Sequence, residues 1–169
     1  MSSYAVNIRA MTLDDLEQVC LIDQLSFSLP WPTTSFRYEV ADNQFSTCWV
    51  VEDGQEMDGE SKHLVVGMAV VWLLVDEAHI ATIAVHPEFR GRGIGKRLLA
   101  VILEDCWERG MLTATLEVRA SNATAQAMYR NFAFEVKGIR RRYYKDNQED
   151  ALIMTAFGLS SERLENLAR

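Results

Sequence analysis

Hydrophobic and polar residues alternate along some stretches of the chain and recur at helical spacing along others, which predicts a series of strands and helices. The predicted strands lie at 5–11, 46–52, 64–75, 78–85, 112–118, 134–144 and 151–157. The predicted helices begin after Thr12, at Thr33 or Thr34, near Leu98, and after Ser121 or Asn122. The order of these elements is typical of an α/β domain with a mixed sheet.

Two of the predicted helices have well-marked apolar faces. One face consists of Leu98, Leu99, Ile102, Leu103 and Cys106. The other consists of Ala125, Met128, Tyr129 and Phe132. Gly110 supplies a C-terminal stop for the first of these helices, and Ser121 or Asn122 supplies an N-terminal cap for the second.

Length and composition exclude several classes of protein. A chain of 169 residues suits one domain, and its net charge of −7 argues against a nucleic-acid binder. The three cysteines form no CxxC pair, which favours reduced thiols over disulfides or a metal site. The apolar run 64–75 is shorter than the roughly 18 residues of a membrane span, and the N-terminus lacks a signal-peptide layout. We therefore expect a cytoplasmic protein with no membrane partner.

Three glycines at alternate positions, Gly91, Gly93 and Gly95, come just before a predicted helix. Glycine lets the backbone approach a ligand closely, and free N–H groups at a helix start bind anions such as phosphate. A dinucleotide fingerprint would need glycine at 96, and a P-loop would need Ser or Thr at 97. The nearby cations are Arg90, Arg92, Lys96 and Arg97. We interpret the loop as a pyrophosphate cradle; the alternatives are an ordinary turn and a solvated basic helix start.

The segment RGRGIG at 90–95 resembles the acetyl-coenzyme A signature of the GNAT N-acetyltransferase superfamily, Arg/Gln-x-x-Gly-x-Gly/Ala. The resemblance implies a GNAT fold, a mixed and mostly antiparallel twisted sheet of about seven strands flanked by about four helices. It also implies that acetyl-CoA binds through its pyrophosphate to the loop amides and through its pantetheine arm to the strand edge at 81–85. The implied cofactor contacts are Ile83, Ala84, Val85, Arg90, Gly91, Arg92, Gly93, Ile94, Gly95, Lys96 and Asn122.

A longer segment narrows the resemblance. LEVRASNATAQAMYRNFAF at 116–134 resembles the matching segment of RimI-type enzymes, which are bacterial N-terminal acetyltransferases. LPW at 29–31 and RRRYYKDNQEDALIM at 140–154 agree with the same family. The resemblance implies that the substrate is the N-terminal alanine of small-subunit ribosomal protein eighteen, and that the enzyme uses coenzyme A.

The chemistry of this transfer requires one base and one acid. An α-ammonium group has a pKa near 8 and must lose a proton before it attacks a thioester, and the leaving thiolate benefits from a proton donor. Glu117 at a strand end and Tyr129 on the following helix suit these roles, and the resemblance matches them to the base and the acid of the family. From the residues alone, a solvated glutamate and a core tyrosine are the alternatives. The resemblance also implies that a backbone N–H near Val85 stabilises the thioester oxyanion.

Three aromatic residues are candidates for substrate binding. Trp31 lies between two prolines, and in RimI-like enzymes this loop borders the peptide site. Tyr143 and Tyr144 lie before the last strand, where related enzymes hold the first substrate residues; core or hairpin packing is the alternative for all three. The acidic pair Glu149-Asp150 suits a basic peptide, and a solvated turn is equally compatible.

Other features fall outside these roles. His63, His79 and His86 lack metal-ligand spacing, so surface or packing roles are expected and no metal is predicted. Ala133 stands where the family usually has glycine; a left-handed Ala would be strained by about 1 kcal/mol, which predicts a differently built turn.

We expect residues 1–155 to form the acetyltransferase domain and residues 156–169 to form a C-terminal tail. The polar segment 53–63 is predicted to be a hairpin tip. The alternative functions are acetylation of a small amine or a lysine side chain, and coenzyme A binding without catalysis.

Overall fold

A computed structural model describes residues 5–54 and 63–160 of the chain. The strands are β1 (Val6–Ala10), β2 (Ser46–Asp53), β3 (Val65–Leu74), β4 (Glu77–Val85), β5 (Thr113–Arg119), β6 (Glu135–Arg140) and β7 (Ala151–Phe157). The helices are α1 (Leu16–Ser26), α2 (Thr33–Ala41), α3 (Ile94–Glu108) and α4 (Ala123–Asn131). Most of the predicted hairpin tip and the end of the predicted tail lie outside the described residues.

The strands pair in the order β1-β2-β3-β4-β5-β7-β6. β1 and β2 are antiparallel, β4 and β5 are parallel, and β7 is antiparallel to both β5 and β6. The mixed sheet, its seven strands and the four helices agree with the predicted fold class. Among the described helices, none is both long enough and apolar enough to cross a membrane.

The described residues group into two compact units. Unit 1 runs to Val71 and includes Thr82–Leu98; unit 2 consists of Trp72–Ala81 and the chain from Leu99. The expected boundary at residue 155 stays a prediction, and β7 continues to Phe157.

Unit 1 packs α1 and α2 around β1 and β2. Its fully buried side chains include Val19, Ile22, Phe36, Val50 and Val51. A charged cluster joins β1 to β2 and to the start of α1, because Nη2 of Arg9 lies 2.8 Å from Asp15 and 2.6 Å from Glu52. Both carboxylates are almost fully buried, so each requires this partner.

In unit 2, β5 contributes Ala114, Leu116 and Val118 to the core on one face and presents Glu117 on the other. This alternation follows from the period of two in a strand. Helix α4 packs its Tyr129 side into the same unit and ends at a tight turn. Of the apolar face predicted for α4, Tyr129 and Phe132 are buried, and Ala125 and Met128 are half-buried.

The turn after α4 corrects one expectation. Ala133 adopts a left-handed conformation with φ of 59°, so the turn is built as it would be with glycine and the Cβ carries the strain. The N–H of Ala133 donates to the carbonyl of Arg130 at 2.9 Å, and the N–H of Phe134 donates to that of Tyr129 at 3.1 Å. This pair of hydrogen bonds is the Schellman motif, which satisfies carbonyls at the helix end.

Candidate active site

The glycine loop of unit 1 leads from a short 3-10 turn at Pro87–Phe89 into α3. Gly91 and Gly93 have φ of 77° and 76°, a region that other residues rarely occupy. Among the described residues, apart from the glycine itself and its chain neighbours, no heavy atom lies within 4 Å of a Cβ built at either position. The backbone conformation, and not lack of space, therefore requires glycine at both positions.

The start of α3 offers backbone donors to an anion. The N–H of Arg97 donates to the carbonyl of Gly93 at 3.1 Å and makes the first hydrogen bond of the helix. The N–H groups of Ile94, Gly95 and Lys96 precede that bond, so they have no partner within the helix. A helix of 15 residues adds a positive dipole end at this point. The geometry suits a phosphate group.

The cations around the loop differ in what they bind. Arg90 braces the loop internally, since its Nε donates to the carbonyl of Val85 at 2.9 Å and its Nη2 to Ser26 Oγ at 3.0 Å. Arg92 donates to the carbonyl of Glu88 at 3.2 Å, and Arg97 donates to the carbonyl of Val6 at 3.4 Å. Within residues 5–54 and 63–160, Lys96 forms neither a hydrogen bond nor an ion pair, so its ammonium is open to a ligand.

The predicted strand contacts Ile83, Ala84 and Val85 form the end of β4 in unit 1. Ile83 and Val85 are half-buried on one face, and Ala84 is buried on the other. The structure thus places the strand edge directly before the loop that it was predicted to serve.

Glu117 is held on both sides in unit 2. Its Oε2 lies 3.1 Å from Nε2 of His79, and its Oε1 lies 3.0 Å from Nε of Arg140. The carboxylate is mostly buried, with 11% of the side chain exposed. The hydrogen bond from His79 lowers the pKa of Glu117, and the charges of His79 and Arg140 act in the same direction, against the effect of burial. Glu117 is therefore ionised at neutral pH.

Tyr129 is buried in α4, with 6% of its surface exposed, and its ring lies 5.8 Å from that of Phe134. Burial raises the pKa of Tyr129, so the phenol keeps its proton at neutral pH. Among the described residues its hydroxyl has no hydrogen-bond partner. A protonated donor without a partner is suited to giving a proton to a ligand.

Of the two predicted N-caps of α4, Ser121 and Asn122, the structure shows Asn122 in that role. Its Oδ1 accepts the N–H of Ala125 at 3.1 Å. Its contact with the cofactor stays a prediction.

The tyrosines of the β6–β7 loop form a packed aromatic group. The rings of Tyr143 and Tyr144 lie 5.2 Å apart, edge to face. The guanidinium of Arg119 lies 3.8 Å from the centre of the Tyr144 ring, and that of Arg140 lies 5.5 Å from Tyr143. Burial raises the pKa of Tyr144 to about 12. Arg119 and Arg140 therefore help to hold the two tyrosines in place, a role that the sequence did not predict for them.

Trp31 belongs to unit 1 and is anchored through its backbone. Its N–H donates to Oδ2 of Asp23 at 2.6 Å, and its ring lies 5.3 Å from that of Phe36. Asp23 is fully buried, which raises the pKa of its carboxyl group. Trp31 is half-buried, so its side chain both packs and remains partly accessible.

The acidic pair is already occupied inside unit 2. Glu149 accepts the N–H of Ser121 at 2.7 Å and a hydrogen bond from Arg119 at 3.2 Å. Asp150 accepts hydrogen bonds from Arg141 at 2.7 Å and from the N–H of Arg142 at 2.8 Å. Both carboxylates hold the loop, and the geometry matches neither a free acidic patch nor a simple solvated turn.

The histidines differ in role. His86 Nδ1 accepts the N–H of Glu88 at 3.3 Å and caps the 3-10 turn, and His63 is exposed near Glu52. His79 contacts Glu117, which a surface or packing role did not anticipate. The contact follows from the parallel pairing of β4 with β5, which puts His79 and Glu117 on the same face of the sheet. It could not be predicted from the sequence without knowing that pairing. Within the described residues no group of His, Cys, Asp and Glu side chains could hold a metal ion.

Comparison with known proteins identifies the family. The pattern of the acetyltransferase (GNAT) family matches residues 16–134. A Bacillus subtilis protein, provisionally named a ribosomal protein bS18-alanine N-acetyltransferase, is 40% identical over 147 residues, which cover 87% of this chain and 92% of that protein.

Solved structures agree. The Escherichia coli ribosomal-protein-S18-alanine N-acetyltransferase has a TM-score of 0.78 at 30% identity, covering 92% of this chain and 95% of that one. NAA60 of Arabidopsis thaliana, solved with acetyl-CoA, shares the fold with a TM-score of 0.79 at 20% identity, covering 90% and 98%. The predicted resemblance and fold are confirmed, and the chain belongs to the acetyltransferase (GNAT) family.

Proposed function

We propose that this protein transfers the acetyl group of acetyl-CoA to the α-amine of a protein N-terminus, and that its substrate is the N-terminal alanine of ribosomal protein bS18. Two relatives are named for this activity, and the matches cover 92% and 95% of their lengths. The observation that carries the proposal is the chemistry of unit 2: Glu117 is ionised, and Tyr129 is protonated and has no hydrogen-bond partner for its hydroxyl among the described residues, so the two supply a base and an acid.

The cofactor end of the proposal rests on unit 1. The pyrophosphate of acetyl-CoA is bound by the N–H groups at the start of α3 and by the Lys96 ammonium, within the loop that Gly91 and Gly93 shape. The edge formed by Ile83–Val85 binds the pantetheine arm, with the N–H near Val85 directed at the thioester oxyanion. Arg90 acts by bracing this loop, and Asn122 is a further candidate contact of the cofactor.

Acetyl-CoA supplies an activated acetyl thioester, and the protein supplies the proton transfers. The carboxylate of Glu117 provides the basic site that draws a proton from the α-ammonium, whose pKa near 8 leaves it mostly protonated at neutral pH. The freed amine attacks the thioester carbonyl, and Tyr129 gives its proton to the departing sulfur. The mechanism needs no covalent enzyme intermediate and no metal.

The substrate end is assigned to Trp31, Tyr143 and Tyr144. The arginine-braced β6–β7 loop holds the two tyrosines in a defined position, which suits binding of a peptide backbone. A ribosomal substrate places the reaction in the cytoplasm.

The experiment is an assay of acetyl-CoA consumption with three kinds of amine. These are peptides that begin with alanine, the same peptides with blocked N-termini, and polyamines. We expect activity only on the free alanine peptides, and we expect Glu117→Gln to abolish most of it. Activity on polyamines or on the lysines of blocked peptides would keep the fold and the cofactor and overturn the proposed substrate. Acetyl-CoA binding without turnover would overturn the catalytic function.

A further inference from the structure

Asp23 on α1 is a fully buried carboxyl group with only one of its two oxygens paired. Oδ2 accepts the N–H of Trp31 at 2.6 Å, whereas Oδ1 has no hydrogen-bond partner among the described residues. Burial raises the pKa of this carboxyl group, although the hydrogen bond from Trp31 acts in the opposite direction. A buried oxygen without a partner lowers the stability of a protein. The stability of α1 therefore does not account for an aspartate at this position.

The loop between α1 and α2 is held by Asp23 near both of its ends. The four residues before Trp31 are exposed. Pro30 and Pro32 flank Trp31 and have no N–H, so Trp31 supplies the only backbone donor of these three residues. The carboxyl group of Asp23 receives that donor, and the backbone carbonyl of Asp23 accepts the N–H of Phe27 at 2.9 Å. One residue of α1 therefore fixes the course of the loop.

The place of the Trp31 side chain depends on the same hydrogen bond. Its ring lies 5.3 Å from that of Phe36, which is fully buried in α2. The backbone contact with α1 and the ring contact with α2 together hold a half-buried side chain in one position. A side chain that is held before its ligand arrives loses less conformational freedom on binding, which favours affinity.

We propose that Asp23 is a positioning residue for substrate binding: its carboxyl group holds Trp31, through the backbone, in the place where Trp31 contacts the peptide. The inference rests on the proposed function, which assigns Trp31 to the peptide, and deepens it. Asp23 acts through Trp31 because its own side chain is fully buried. Its effect is therefore on the binding of the peptide and not on the transfer of the acetyl group.

The kinetic test compares Asp23→Ala and Asp23→Asn in the full chain, assayed against an N-terminal alanine peptide. Alanine removes the acceptor, so we expect the KM for the peptide to rise on the order of 10-fold while kcat stays unchanged. Asparagine keeps an oxygen that can accept the N–H of Trp31, so its KM should stay close to that of the wild type. The KM for acetyl-CoA should not change in either variant, because Ser26 and its hydrogen bond with Arg90 are left in place.

Ile22→Ala is the matched control. It truncates the buried neighbour of Asp23 on α1 and leaves the hydrogen bond with Trp31 in place. We expect this variant to unfold at a lower urea concentration and to keep the peptide KM of the wild type. A peptide KM that Asp23→Ala leaves unchanged, or that Ile22→Ala raises equally, would overturn the positioning role.

A second measurement does not depend on the substrate. Hydrogen exchange of the Trp31 amide, followed by NMR of protein labelled with ¹⁵N-tryptophan, reports whether this N–H is bonded in solution. We expect protection of the amide in the wild type and its loss in Asp23→Ala. Exchange at the unprotected rate in the wild type would overturn the role of Asp23. Absence of wild-type activity on alanine peptides would instead overturn the proposed function, and the exchange rates would still decide whether Asp23 holds Trp31.

Discussion

The N–H of Phe134 donates to the carbonyl oxygen of Tyr129 at 3.1 Å, and the two rings lie 5.8 Å apart. This hydrogen bond closes the C-terminal turn of α4. The carbonyl group of the candidate acid, Tyr129, therefore takes part in the helix C-cap. Ala133 lies between them in a left-handed conformation. The position of Tyr129 therefore depends on a strained residue next to it in the turn.

Replacing Ala133 with glycine should stabilise the protein. The left-handed conformation costs an alanine about 1 kcal/mol that glycine does not incur. We expect Ala133→Gly to raise the free energy of unfolding by about that amount, as measured by urea denaturation. Ala127→Gly, at an exposed position inside the same helix, should lower it by about 1 kcal/mol. Equal effects of the two substitutions would contradict the strain at Ala133.

Removing the hydroxyl of Tyr129 should slow the chemistry without destabilising the fold. In the described part of the chain this hydroxyl makes no hydrogen bond, so Tyr129→Phe leaves no group unsatisfied. We expect the single-turnover rate to fall on the order of 10²-fold with the urea midpoint unchanged. Tyr38→Phe, on an exposed face of α2, is the matched control. An unchanged single-turnover rate would remove Tyr129 from the role of acid.

Substitution of a left-handed glycine in the loop should weaken cofactor binding, whereas substitution of a left-handed glycine elsewhere should only lower stability. Gly93→Ala strains the loop by about 1 kcal/mol and displaces the amides at the start of α3, so we expect a raised KM for acetyl-CoA. Gly110→Ala imposes the same strain at φ of 84° after α3, away from the loop. That variant should lose similar stability with an unchanged KM. If both variants changed the KM alike, the loop would have no special part in binding.

Glu149 should make the β6–β7 loop sensitive to acid. Its hydrogen bonds, first with Ser121 and then with Asn147 and Arg119, lower its pKa from 4.5 to about 2. Since the pKa is depressed in the folded state, the stabilising contribution is complete above the unfolded value and is lost as the pH falls from 4.5 toward 2.

The measurement is amide hydrogen exchange of the loop in the wild type and in Glu149→Gln. We expect faster exchange in the variant above pH 5, with the difference shrinking toward pH 3. Glu135→Gln, an exposed carboxylate on β6, should show no such difference in the loop. A difference that persisted unchanged at pH 3 would contradict the prediction.

Local hydrophobic patterns were sufficient to predict most of the strands and helices and the buried face of α3. Leu98, Leu99, Ile102 and Leu103 all lie on the buried side of α3, and Asn122 caps α4 as its residue type predicts. These features are local, because a period of two or 3.6 residues and a capping oxygen act within a few residues of the chain. The loop before α3 could be predicted for the same reason, because its left-handed backbone conformation depends on Gly91 and Gly93 themselves.

The partners of charged and aromatic side chains could be identified only once the strands and loops were assembled. His79 and Glu117 are far apart in sequence and meet because β4 and β5 pair in parallel. Arg119 on β5 contacts Tyr144 and Glu149, which both lie in the loop between β6 and β7. Arg90, counted with the phosphate-binding cations in the sequence, braces the loop instead. Side-chain partnerships depend on strand register and three-dimensional packing, which local hydrophobic periodicity does not specify.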